Sequence, residues 1–387
     1  MKVCYFSNLY PPYVIGGAEK YAHQLACSIS KHADVVVVTT SPCMHASVSY
    51  QNGVKVHRLY PTNLCSIYNL AEKPLYTRAL WYMIDTWNPH SYFLVKRILS
   101  KERPDIVHTH IATGLSPSIF SAIKAMGYPH VHTLHGYNLI TPNMMKMRSS
   151  LVHKTYTKFM RLMTKSIDVV ISPSKFMMQQ HQKLGFFNNA RKLIIPHGVK
   201  SINQHPHKDY EVLHILYVGQ LSKHKGLHIL IRAFRKLSQT NVRLHIVGHG
   251  SLAGEVSQLT SHDSRVTFHS YVTEGQLRDL YSKASLLVVP SIWFEPFGLV
   301  IIESFSFGTP VLASAIGAIP ELVKDGYNGI LFKPGDVKSL SLAMEIVLSD
   351  TQLLKELSKN AWESSKEYDM NKHVRRLLYV YKDARKR

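Results

Sequence analysis

Cysteine is scarce in this chain. Cys4, Cys27, Cys43 and Cys65 are the only four in 387 residues, all in the first sixth, and none forms a C-x-x-C pair. That pattern indicates neither a disulfide framework nor a structural zinc site, and it predicts a reducing, cytoplasmic setting. Long apolar runs are missing too: charge, Pro or Gly breaks every stretch of 18 residues, and Pro11 and Pro12 stand where a signal peptide needs its apolar core. A spanning or exported chain is not expected. Acid is the scarcer charge, 25 Asp and Glu against 46 Lys and Arg, a formal net charge of +21. No Asp-x-Asp occurs, so a paired-carboxylate site for Mg²⁺ or Mn²⁺ of that kind is not indicated. No H-E-x-x-H accompanies the 23 histidines. Internal repeats and low-complexity tracts are likewise absent.

What is present reads as a globular protein: 45% apolar and 18% charged residues, with length for two or three domains. Short apolar runs alternate with helical stretches: Val3 to Phe6, Val35 to Val38, Asp105 to His110, His130 to Leu134, Asp168 to Ser172 and Lys192 to Ile195. A second set follows at Val212 to Val218, Arg243 to Val247, Arg265 to Phe268, Leu286 to Val289 and Pro310 to Ala313. Such alternation predicts an α/β protein with two doubly wound parallel sheets. The expected division is 1–198, a polar His-rich linker at 199–211, a second domain at 212–365, and a helical basic tail at 366–387. Ligands of open α/β sheets bind at the carboxyl ends of strands, so the site is expected in a cleft between the halves.

The most informative stretch runs from Pro290 to Glu303 and on through Gly308-Thr-Pro310-Val311. It reads as strand, loop and a helix from Gly298 to Phe307, whose unpaired first N–H groups suit an anion. Seven residues separate Glu295 from Glu303. From spacing alone, two surface glutamates on an αβ unit explain the pattern equally well. The flanking Pro-Ser, Glu-Pro-Phe-Gly-Leu and Gly-Thr-Pro-Val bring in more. So do Gly16-Gly17-Ala18-Glu19, His135-Gly136, Pro196-His-Gly-Val199, Val218-Gly-Gln-Leu221, Lys225-Gly226, Val247-Gly-His-Gly250, Gly317-Ala-Ile-Pro-Glu321 and Asp325-Gly-Tyr-Asn-Gly329. In order and spacing these resemble the retaining nucleotide-sugar glycosyltransferases of glycosyltransferase family 4, over most of the chain.

That resemblance implies a GT-B fold, two Rossmann-like domains facing a cleft, and transfer of a hexosyl unit from a UDP- or GDP-sugar to a glycan or lipid-linked saccharide. It implies His135, Lys225 and Glu295 as catalytic residues. Donor binding falls to Gly16, Gly17, Gln220, Lys225, Gly248, Phe297, Gly298, Leu299 and Glu303. Lys225 would stabilise the leaving diphosphate, Glu303 the ribose hydroxyls and Glu295 the donor sugar. No cofactor and no metal are expected. Two positions depart from the family: Gln220 replaces the usual Arg, removing a permanently charged bidentate donor, and His249 replaces a common acid. His224 is the candidate to replace the lost charge. His108/His110 and His130/His132/His135 invite a metal reading, but they lack an acidic partner.

The basic surplus needs a partner. If Met144 to Lys165 is one helix, Lys154, Lys158, Arg161 and Lys165 share a face opposite Val152, Tyr156, Phe159, Met160 and Met163. A solvated face, an anionic membrane surface and an acceptor surface all suit this arrangement. The aromatics between Leu75 and Phe93, Trp81 and Trp87 among them, suit a core as well as an interface. The expectation is a cytoplasmic enzyme held peripherally on the inner face of the membrane. The rival readings are a nucleotide-sugar epimerase or phosphorylase of the same fold, and a nucleic-acid-binding protein. Basic residues and aromatics do not interleave as a nucleic-acid platform requires, so no nucleic acid is expected. A basic, His-rich chain also fits an acidic habitat.

Overall fold

The computed structural model describes residues 1–13, 16–141, 151–202 and 204–386. The chain forms two compact units, one of residues 1–197 and 373–387, the other of residues 198–372. In chain order the first unit contains β1 (Lys2–Phe6), α1 (Gly17–Ile29), β2 (Asp34–Thr40), β3 (Ser47–Gln51), β4 (Val54–Leu59), α2 (Leu75–Thr86) and α3 (Pro89–Glu102). It continues with β5 (Ile106–Thr109), α4 (Ser118–Ala125), β6 (His130–Thr133), α5 (Leu151–Met163), β7 (Val169–Ser172), α6 (Lys175–Gln182) and β8 (Arg191–Ile194). Its eight strands lie in the order β3-β4-β2-β1-β5-β6-β7-β8, all parallel except β3 against β4.

The second unit contains β9 (Leu213–Val218), α7 (Leu227–Phe234), β10 (Val242–Val247), α8 (Ala253–Thr260), β11 (Val266–His269), α9 (Glu274–Lys283) and β12 (Leu286–Val289). There follow α10 (Leu299–Ser306), β13 (Val311–Ser314), α11 (Ile319–Leu322), β14 (Gly329–Phe332), α12 (Val337–Ser349) and α13 (Thr351–Ser365). Its six strands are all parallel, in the order β11-β10-β9-β12-β13-β14. Both sheets carry helices on both faces, the condition under which parallel strands read as continuous apolar runs. Alternation is still visible in the packing. Leu213, Ile215, Leu286, Val288 and Leu312 join one core, while Leu216, Leu287, Val311 and Ala313 join the other.

The same alternation separates the histidines of the first unit. His130 and His132 pair in register with Val107 and Thr109, so they share that face, and both meet the Thr109 hydroxyl at 2.8 Å. His108 and His110 point to the other face, where their rings lie beside Tyr5. Among the described residues no group of three or more His, Cys, Asp or Glu could hold a metal ion.

Two segments differ from their expected character. The linker at 199–211 is tied down: Val199 pairs with Asp369, and the Lys208 side chain is buried. The basic terminus is not a free tail, because α14 (Met370–Ala384) buries Val374, Leu377, Val380, Tyr381 and Ala384. Its Tyr381 hydroxyl lies 2.6 Å from His108 Nδ1 and 2.7 Å from the Tyr5 hydroxyl, inside the first unit.

Candidate active site

In the second unit the loops after β9 and β12 meet. Gly226 has φ +72°, and a Cβ there would lie 1.7 Å from the Pro290 carbonyl oxygen, so only glycine permits the approach. The Ile292 N–H donates to the His224 carbonyl at 3.0 Å across the same contact. The contact sets Lys225 beside Glu295, with Nζ 2.7 Å from Oε1. The Ser291 hydroxyl donates to that same oxygen at 2.8 Å, and the Ala318 N–H holds the Glu295 carbonyl at 2.9 Å. Glu295 is only 8% exposed. An ammonium has three N–H donors and the carboxylate takes one, so Lys225 balances Glu295 and keeps donors for a second anion.

A neighbouring junction joins the ends of β9 and β10. Gly248 has φ +146°, and a Cβ there would stand 1.9 Å from the Gly219 carbonyl oxygen. Its glycine is therefore required by packing, whatever it binds. The Tyr217 hydroxyl donates to the Gln220 carbonyl at 2.9 Å, which leaves the Gln220 side chain exposed. Burial, and then the Lys225 ammonium, hold the His224 imidazole below its usual range. It is a neutral group at pH 7.

At the start of α10 the Phe297 side chain is buried with Ile301, Phe305 and Leu322, so what it offers a ligand is backbone. Gly298 caps the helix and Leu299 opens it. Glu303 lies one turn further on and accepts a hydrogen bond from the Tyr281 hydroxyl at 3.1 Å. Burial, and then the Glu303 carboxylate, keep that phenol well above its usual range.

In the first unit His135 follows β6, and its Nε2 lies 2.8 Å from Nδ1 of His110. Its ring stacks on His197, centroids 5.2 Å apart, and His197 packs on Tyr21 at 3.9 Å. The Tyr21 hydroxyl in turn meets Nε2 of His373. Burial pushes His135 down to about 3, so it is a neutral hydrogen-bonding group. Gly16 is not an unengaged phosphate cradle: its N–H donates to Oε2 of Glu19 at 3.0 Å, placing a carboxylate at the start of α1.

Comparison with known proteins gives the family. Residues 200–364 match the family model of glycosyl transferases group 1, and residues 15–201 match that of Glycosyltransferase Family 4. The chain belongs to glycosyltransferase family 4. An uncharacterized 42.6 kDa protein of the cps region of Klebsiella pneumoniae is 28% identical, over 91% of this chain and 96% of its own. The glycogen synthase of Mycobacterium tuberculosis is 29% identical over 90% and 86%. Among solved structures, Anabaena HepE in complex with UDP-glucose superposes with a TM-score of 0.75 at 20% identity, covering 99% of this chain and 100% of that one. The fold is GT-B and the chain is a transferase.

Other residues of this glycosyltransferase fall differently from expectation. Trp81 is no surface group: it is 1% exposed and its indole N–H donates to the Cys65 carbonyl at 2.7 Å. Trp87 is open to solvent at 45%. The expected helix at Met144 to Lys165 is described only from Leu151, residues 142–150 lying outside the described residues. Lys154, Lys158, Arg161 and Lys165 are all exposed, but so is Val152, which was expected on the packed face. Sequence reading passed over Trp293 and Phe294, exposed immediately before Glu295. Their signal was three bulky apolar residues in a loop with no strand or helix to bury them.

Proposed function

We propose that this glycosyltransferase transfers a hexosyl unit, with retention of anomeric configuration, from a UDP- or GDP-sugar to a hydroxyl of a glycan or lipid-linked saccharide in polysaccharide or glycolipid synthesis. The observation that carries this is the Lys225–Glu295 pair, with a shared carboxylate oxygen held by Ser291. Lys225 meets the diphosphate through its remaining donors, and Glu295 meets the sugar. His135 contributes a neutral ring beside the donor, and Glu303 binds the ribose. The C1–O bond to the diphosphate breaks as the acceptor oxygen attacks from the same face, and the acceptor proton passes to the departing phosphate oxygen. No metal is required, in keeping with a sequence that has no Asp-x-Asp. HepE is described with UDP-glucose, and the Klebsiella relative comes from a cps region; both support this donor and acceptor class. The work is done in the cytoplasm, at the inner face of a membrane.

The test is thermal unfolding with millimolar UDP, GDP and ADP, each with and without EDTA. A nucleotide at 100 times its Kd stabilises by ~2.7 kcal/mol. A shift with UDP or GDP that survives EDTA is expected; no shift with any nucleotide would overturn the donor assignment. Glu295→Gln is expected to lower kcat by ~100-fold, about 2.7 kcal/mol of transition-state stabilisation, while leaving the UDP or GDP shift intact. Full turnover in that variant would remove Glu295 from the mechanism.

A further inference from the structure

The least ordinary surface in the first unit is the outer side of α2. Leu75, Tyr76, Ala79, Leu80, Met83, Ile84 and Trp87 are all exposed. Tyr76 and Met83 are each 70% exposed, Leu75 69% and Leu80 50%. The helix buries the other side through Trp81 and Asp85, and both Asp85 carboxylate oxygens accept the Gly114 N–H at 3.0 Å. A spacing of 76, 80, 83 and 87 follows one stripe of a 3.6-residue helix, and twelve residues at 1.5 Å each make it about 18 Å long. Folded monomers rarely leave so continuous an apolar stripe in water.

What covers it is indicated by charge. Next to α2 lies α5: Tyr82, Asp85 and Thr86 of the first helix and Tyr156 and Met160 of the second line one cavity. The exposed side of α5 carries Lys154, Lys158 and Arg161, Lys165 is exposed in the 3-10 turn that follows it, and Leu151 and Val152 are exposed at its start. From Lys73 to Ile167 the acids are Asp85, Glu102 and Asp105 alone, and the first two are buried. An apolar stripe with Tyr near one end and Trp at the other, beside a row of lysines without countercharge, has the composition of a helix lying in a lipid headgroup boundary.

We infer that α2 is an insertion element: its apolar stripe enters the headgroup boundary of an anionic phospholipid bilayer while the α5 lysines contact the phosphates. This gives the membrane part of the proposed function a definite surface, and it does not depend on the transfer reaction. Vesicle flotation of the full chain without nucleotide or saccharide tests it. Vesicles of phosphatidylcholine are compared with vesicles containing about one third phosphatidylglycerol, a composition that gives the surface a strong negative potential. The protein is expected to float with the anionic vesicles, with a blue shift of its tryptophan emission that Trp87→Phe removes. Leu80→Glu with Met83→Glu is expected to weaken binding by more than tenfold on either vesicle. Lys154→Gln, Lys158→Gln and Lys165→Gln together are expected to weaken anionic binding by roughly 100-fold, about fivefold each, and to leave neutral vesicles unaffected. All these side chains are exposed, so unfolding midpoints should stay at the wild-type value. The inference is overturned if wild type does not bind anionic vesicles, if the Leu80/Met83 variant binds undiminished, or if that variant converts a lipid-free dimer to a monomer, which would assign the stripe to a second copy. Absence of glycosyl transfer would leave every one of these readings unchanged.

Discussion

A hydrogen bond between two neutral imidazoles fixes a proton on one of them. His110 meets His135 through Nδ1, while its own Nε2 is buried without a partner among the described residues. A buried N–H without an acceptor is rarer and more unfavourable than a buried lone pair without a donor. His110 therefore carries its proton on Nδ1 and donates it, and His135 accepts at Nε2 and carries its own proton on Nδ1. The ring that the proposed mechanism sets beside the donor thus presents an N–H, selected by a residue that touches no substrate. Long-range ¹H–¹⁵N spectra should show His135 protonated at Nδ1, and an Nε2–H form would refute the assignment. Removing a neutral hydrogen bond of this kind costs about 0.5–1.5 kcal/mol, so His110→Phe should lower kcat up to roughly tenfold with the nucleotide shift unchanged. His110→Asn, whose amide can donate from nearly the same place as Nδ1, should restore most of it. Glu295, Lys225 and His135 were all legible as residues of a motif. That Lys225 pairs with Glu295 across 70 positions, or that His110 orients His135, was not, because side-chain pairing depends on loops whose path no local spacing encodes.

At the scale of elements, Lys208 shows how a polar segment becomes structural. Its ammonium donates to the carbonyls of Tyr281, Ser282 and Ala284 at 3.3, 3.0 and 2.7 Å and to the Thr309 hydroxyl at 2.8 Å. These carbonyls include the last ones of α9, which have no intrahelical donor, so the lysine caps the helix; burial pulls its ammonium down to about 7, so the cap rests on these hydrogen bonds and not on a full charge. The Thr309 hydroxyl also reaches the Tyr281 and Ala284 carbonyls, at 2.7 and 3.3 Å, so Lys208→Met takes the side-chain donor from Ser282 alone; this should destabilise the second unit by roughly 1–3 kcal/mol and lower its Tm by about 2–12 °C, and an unchanged melting curve would refute the cap. In the sequence this stretch reads as linker because polarity is visible locally and the acceptors, 73 to 101 residues away, are not. The parallel strands read correctly for the opposite reason: burial on both faces leaves an unbroken apolar run such as Val35 to Val38. The β3–β4 hairpin was missed although Asn52 and Gly53, at φ 50° and 77°, are the residues such a turn demands; β3 is largely exposed and shows no apolar run. The sequence leaves Trp81 open between core and interface because a count of aromatics does not say which side of α2 each one occupies.

At the scale of the whole molecule, buried histidines make the stability of the first unit depend on pH. Burial pushes His130 and His135 down to about 3, and His181 and His373 down to about 4; all four belong to the first unit. The native rings stay neutral where unfolded ones, with an ordinary value of 6.5, take up protons. Because the folded value is the lower one, each contribution is complete above pH 6.5 and is lost as pH falls below it. From pH 7 to 5 the loss is about 2 kcal/mol for a ring that stays neutral in the native state, a sizeable share of the 5–15 kcal/mol of a typical domain. His108, His110, His132 and His197, also buried and held well below the usual range, act in the same direction. Glu102 acts in a lower window: burial pushes it up, but hydrogen bonds from Lys2, Lys55 and His57 win and hold it at about 2, so its contribution is lost only as pH falls below about 4.5. Pulse hydrogen exchange should show β5 and β6 losing protection between pH 6.5 and 5, ahead of β9 and β12, since the second unit holds one ring pushed as low as about 4, His245. A urea midpoint constant from pH 7 to 5 would mean that these rings titrate in the native state, and the neutral network on which the His135 proton assignment rests would fall with it.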